Sequence, residues 1–217
     1  MGAQGGCMRI STASLLCLAG LLGCAGATPS PSSPRPDAKP VMPDPPGYTL
    51  ARTGGLHDFD FIAGAWTVQN HRLKARGVGS RDWDEFPAVD CGTVYLGSVV
   101  NADELQFPTK GWAGVTVRTF HLERRQWSIY WISGRNGVIY PPVVGGFDGD
   151  RGEFYGEDDD DGRPVKVRFV WTKQGPDRAH WEQSFSYDGK TWETNWTNDF
   201  VRADPAGCVD GRPRAAK

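Results

Sequence analysis

The chain has 217 residues, a formal net charge of −2 and 12% aromatic residues. That length makes one domain the default. The charge balance excludes the basic footprint of a nucleic-acid-binding domain. No glycine-rich phosphate loop, nucleophile elbow or Cys-x-x-Cys is present, which removes the commonest motif-borne nucleotide, hydrolase and redox chemistries.

In chain order, the first element is an export signal. Met8-Arg9 supplies one positive charge, the run from Leu15 to Leu22 is apolar, and small residues follow. A membrane-spanning helix takes about 20 apolar residues, so this run is too short to be one. Leu21-Leu22-Gly23-Cys24 is similar to a bacterial lipobox, in which the cysteine is acylated and becomes the N-terminus. The alternative is cleavage after Ala25-Gly26-Ala27, which releases an unanchored protein. Expected locations follow: the periplasmic side of a bacterial membrane, lipid-anchored at Cys24, or the periplasm or exterior if cleavage falls after Ala27. Residues 1–27 are thus assigned to the signal.

Residues 28–56 read as a disordered linker, with eight prolines in the nineteen residues from Thr28 to Pro46. Residues 57–203 form the domain and 204–217 a polar tail. Cys91 falls in a predicted strand and Cys208 in that tail. A bridge between them is open in an oxidising compartment, but a buried thiol at Cys91 is the favoured state, since free cysteine behaves as a small hydrophobe.

From Trp66 to Val201 apolar and polar residues alternate with period 2. Trp127, Ile129 and Trp131 alternate with Ser128 and Tyr130, and Val165, Val167, Phe169 and Trp171 with Lys166 and Arg168. Asn136-Gly137, Asp148-Gly149-Asp150, Asp161-Gly162, Gln174-Gly175-Pro176-Asp177 and Asp188-Gly189 supply the turns. This pattern predicts an all-β antiparallel meander. If Asp188-Gly189 is a two-residue turn, the pairs Phe185–Trp192, Gln183–Thr194 and Trp181–Trp196 share one face. The absence of an obvious long crossover favours closure into a barrel, which removes exposed edges.

Phe59-Asp60-Phe61-Ile62-Ala63-Gly64-Ala65-Trp66 resembles the opening of an uncharacterised bacterial family of lipocalin-like (calycin) domains of unknown function. Trp127 to Trp131, Pro141 to Gly145, Trp181 to Gln183 and Trp192 to Trp196 fit the same family. The resemblance spans about His57 to Arg202. It implies a single up-and-down barrel of about 8–10 strands, opened by Gly64-x-Trp66, whose tryptophan plugs one end. It also implies that Arg202, just past the last strand, lies over that ring, a contact worth about 0.5–2 kcal/mol. A ligand would then enter at the other end.

Polar residues on apolar faces mark the candidate site, because burying them unpartnered costs several kcal/mol. Asn70 and Arg72 share a face with Trp66 and Val68; Gln183, Thr194 and Asn198 share one with Trp181, Phe185, Trp196 and Phe200. The expected site uses Asn70, Arg72 and Gln183 for the polar end of a small apolar or amphipathic ligand, and Trp131, Trp171 and Trp196 for its body. No cofactor is implied. Glu182 and Glu193 are expected to face outward, away from the tryptophans, so no catalytic residue is assigned. His57, His71, His121 and His180 lack metal-ligand spacing. The run Glu157 to Gly162 puts Arg168 where a calcium loop needs a glutamate, and reads as a solvated hairpin turn. An enzyme of the same barrel class, acting as an isomerase or hydrolase, is the runner-up; a filled barrel serving as an envelope interaction domain is the third reading.

Overall fold

The computed structural model describes residues 42–213. The export signal, Cys24 and the prolines before Met42 lie outside them. The strands are β1 (Gly64–Leu73), β2 (Trp83–Tyr95), β3 (Val100–Phe107), β4 (Trp112–His121) and β5 (Gln126–Ser133). They continue as β6 (Val143–Asp148), β7 (Arg151–Asp160), β8 (Arg163–Lys173), β9 (Arg178–Ser186) and β10 (Glu193–Arg202). Each pairs antiparallel with the next, and β10 returns to pair with β1. The fold is therefore all-β, a closed ten-stranded up-and-down barrel, with no α-helix among the described residues. Inward and outward residues alternate along each strand, and ten strands leave a wider lumen than the eight that side chains just fill.

One end is plugged. A 3-10 turn at Asp60–Ile62 precedes β1 and directs Phe59 into the barrel, where its ring meets Trp127, Phe147, Phe154 and Trp171. Phe59, Ile62, Trp66, Trp127 and Phe154 are fully buried here. Trp66 donates its indole N–H to the Ile62 carbonyl at 2.9 Å. Arg202 lies over the Trp66 ring at 3.6 Å and donates to the carbonyls of Ala63 and Phe61. Gly64 sits at φ +102°, and a Cβ there would come within 3.2 Å of the Arg202 guanidinium. Only glycine takes that backbone angle freely, so the Gly-x-Trp spacing and the arginine belong to one arrangement.

The last hairpin departs from the expected register. Phe185 pairs with Glu193, Ser184 with Thr194, Gln183 with Trp196 and Trp181 with Asn198. Asp188 does not close a two-residue turn. Its carboxylate accepts from the backbone N–H of Lys190 and Thr191 and from the Thr191 hydroxyl, holding a wider loop between the strands. Those backbone hydrogen bonds hold its carboxyl down to about 2. A bulge between Thr194 and Trp196 then adds one residue to β10. Thr194 consequently bonds the Ser184 hydroxyl, while Trp196 lines the lumen. Trp192, expected opposite Phe185, packs instead near Tyr155 and under Arg168 and donates to the Pro46 carbonyl.

Two stretches assigned outside the barrel pack against it. Residues 42–56, assigned to the linker, lie against the barrel. Asp44 pairs with Lys166, Arg52 with Glu153, and Gly54 donates to the Arg125 carbonyl. The tail folds back through a turn at Pro205–Gly207 into a short hairpin of β11 (Cys208–Val209) and β12 (Arg212–Pro213). Cys208 there is disulfide-bonded to Cys91, which corrects the free-thiol expectation. Cys91 is indeed fully buried; what the sequence pattern did not reveal was the hairpin that brings Cys208 back to β2.

Candidate functional site

Above the plug the lumen is hollow. A cavity of about 450 Å³ opens at the end opposite Trp66. Its middle is aromatic, with Trp112, Trp131, Phe169, Trp181 and Trp196 in the walls and Trp171 deeper down. Gly114 makes room for one of these walls. A Cβ at Gly114 would overlap the Trp131 ring, so the indole lies flat across β4 only because that position lacks a side chain.

The mouth is lined by charge. Asp160, at the end of β7, is buried, pairs with Arg76 and Arg163, and accepts from the Tyr187 hydroxyl at 2.7 Å. The hairpin turn expected here is present, with Glu157, Asp159, Asp161 and Gly162 exposed and Asp160 buried. Among the described residues, Arg72 makes no ion pair. Its guanidinium stacks on Trp196 at 4.5 Å. Burial, with Arg76 and Arg135 nearby, pushes it down to about 10, so it still carries its charge at neutral pH. A stacked, charged guanidinium whose neighbouring acid is occupied by two other arginines is suited to an incoming anion.

Of the sequence-selected residues, Arg72, Trp131, Trp171, Gln183 and Trp196 all line the cavity. Asn70 does not. It is fully buried, and its carbonyl oxygen accepts the Trp196 indole N–H at 3.0 Å, which sets the ring that Arg72 lies on. Gln183 donates to the Asn195 side chain at the bulge. Glu193 departs from its expected outward position: it pairs with Phe185 and accepts from the Gly77 backbone at 2.8 Å. Glu182 bonds His180 at 3.3 Å and is not part of the cavity wall.

The floor carries a group that the sequence reading did not select. Asp90 of β2, Asp103 of β3 and Arg118 of β4 are all buried and all line the cavity. Arg118 is ion-paired to Asp103, bonds the Asn101 side chain at 3.1 Å, and lies over the rings of Phe59 and Trp171. The Asp90 carboxyl lies within reach of the Asp103 carboxyl and the Cys91 backbone N–H without a well-formed hydrogen bond to either, and the Trp171 Nε1–H and Arg118 Nε–H are unpartnered. Burial, reinforced by the Asp103 charge and only partly opposed by Arg118, pushes the Asp90 carboxyl well above the usual range. A signal for these three was present: each stands in alternation with an apolar inward residue (Ala88, Leu105, Phe120) on consecutive strands.

Among the described residues, no group of three or more histidine, cysteine, aspartate or glutamate side chains is placed to hold a metal ion. Neither a protein-family model nor a curated protein matches the chain.

Proposed function

We propose that this protein is an exported, lipid-anchored barrel of the lipocalin-like type that binds one small amphipathic molecule in its cavity, with an anionic end at Arg72. The carrying observation is a hollow of about 450 Å³, walled by indoles and opening past a stacked arginine that no carboxylate neutralises. Ligand pockets of about 300–1,000 Å³ combine an apolar wall with a few oriented polar groups in this way. The Cys91–Cys208 bridge supports export, because such bonds persist in oxidising compartments. Cys24 is the proposed lipid-bearing residue and the proline-rich stretch a spacer. An unmodified N-terminus at Thr28, read by mass spectrometry of the exported protein, would remove the anchor.

Decanoate titrated against tryptophan fluorescence tests the binding site, since Trp196 lies beneath Arg72. Binding is expected in the wild type. Arg72→Ala is expected to weaken it roughly tenfold or more, the scale of a lost charge-assisted hydrogen bond. Equal affinity in the two proteins would remove Arg72 from the site. The unpaired acid at the floor gives the enzyme reading its one specific support, because a carboxyl held protonated beside a cavity is a proton donor by position.

A further inference from the structure

We infer that the cavity floor is a second recognition site, formed by Asp90, Trp171 and Arg118, which takes a neutral oxygen acceptor such as a ketone, ester or amide carbonyl. This rests on the cavity being a ligand site and specifies what its occupant carries at the inner end.

Two carboxyl groups and one guanidinium are buried together. Arg118 is committed to Asp103 and Asn101. Asp90 has no cation of its own, and the titratable groups facing it are Asp103 from β3 and Arg118 from β4. An uncompensated buried carboxylate is far costlier than a neutral acid, so the group is held as the acid. A protonated carboxyl is a hydrogen-bond donor. The Nε1–H of Trp171, whose ring lies under Arg118, and the Arg118 Nε–H are donors with nothing to donate to. The Asp90 proton has the Asp103 carboxylate as a nearby acceptor whereas the two N–H groups have none, so N–H donors are left over at the floor, and a carbonyl oxygen satisfies them. A ligand ammonium would bring more donors and a second cation close to Arg118.

The spacing of the two polar ends limits the ligand's length. Arg72 pairs across β1–β2 with Asp84, and Asp90 with Trp66. Six residues of strand span about 20 Å, or roughly 15 Å along the axis once strand tilt is included. A chain of about ten carbons, carrying an anion at one end and a carbonyl at the other, fits that distance.

The test compares 2-octanone, n-octane and octylammonium by tryptophan fluorescence in the wild-type protein, Asp90→Asn and Asp90→Leu. The ketone is expected to bind wild type at least tenfold tighter than the hydrocarbon. Asp90→Asn, which keeps a donor, should retain that preference, and Asp90→Leu should lose it. In wild type the preference should fade as rising pH ionises Asp90, and in Asp90→Asn it should not. An infrared band of a protonated carboxyl, missing from Asp90→Asn, is expected at neutral pH. Tighter binding of octylammonium, or equal affinity for ketone and hydrocarbon, overturns the floor site while leaving the cavity reading intact. If none of these compounds binds and decanoate also fails, both readings fall.

Discussion

The two ends of the barrel use the same residue types for opposite purposes. At the closed end, arginine over tryptophan is an internal lock: Arg202 covers Trp66 and spends its donors on the carbonyls of Ala63, Phe61 and Pro176. At the open end, Arg72 covers Trp196 and, among the described residues, has no carboxylate or carbonyl to hold it. The difference lies in what the chain places beside each pair. The turn before β1 presents backbone acceptors to Arg202, whereas Asp160, whose charge acts on Arg72, is already bound by Arg76 and Arg163. A cation–π pair by itself thus says little about role, and its remaining hydrogen-bond donors say more.

The largest expected effect breaks the closed end. Phe59→Ala removes the ring at the centre of the plug and should cost about 3–5 kcal/mol in urea denaturation. A loss under about 1 kcal/mol would show that the plug is not what holds this end shut. Next is the disulfide, which closes a 117-residue separation. Removing it as Cys91→Ser with Cys208→Ser should cost about 2–4 kcal/mol, with decanoate affinity unchanged if the mouth is independent of the tail. Arg202→Ala should be milder, about 1–2 kcal/mol, and should not alter ligand binding. Arg72→Ala should do the reverse, costing less stability than Arg202→Ala, which also loses three carbonyl partners, while lowering affinity.

A pH series sharpens the contrast between floor and mouth. Asp90 has its folded-state pKa raised, so its contribution favours the fold below the usual carboxylate range and is lost as pH rises toward the folded value. Wild type should therefore lose stability relative to Asp90→Asn between acidic and neutral pH, read as urea midpoints. A constant gap between the two proteins would show that the Asp90 carboxyl titrates alike in the folded and unfolded chain.

How much of this was legible in the sequence depended on range. Alternation and turn residues give strands, and the Gly64-x-Trp66 spacing marks the first of them, because those signals are local. Arg72 and the tryptophans were found because each breaks or fills a face within its own strand. Asp90, Asp103 and Arg118 are single charges on three different strands, and only closure of the sheet makes them neighbours. The register of the last hairpin failed for a local reason. Asp188-Gly189 has the composition of a tight turn, but the Asp188 carboxylate has stronger partners at Lys190 and Thr191, and the bulge then restores Trp196 to the lumen. Cys208 was misjudged because a polar tail gives no sign of folding back.

The most direct test of the central claim is native mass spectrometry of the protein purified from its own source, beside a Thr116→Trp variant whose added indole fills the cavity. The account predicts one small molecule retained per wild-type chain and none in the variant. Bare protein mass for the wild type, or the same adduct on both proteins, would contradict it.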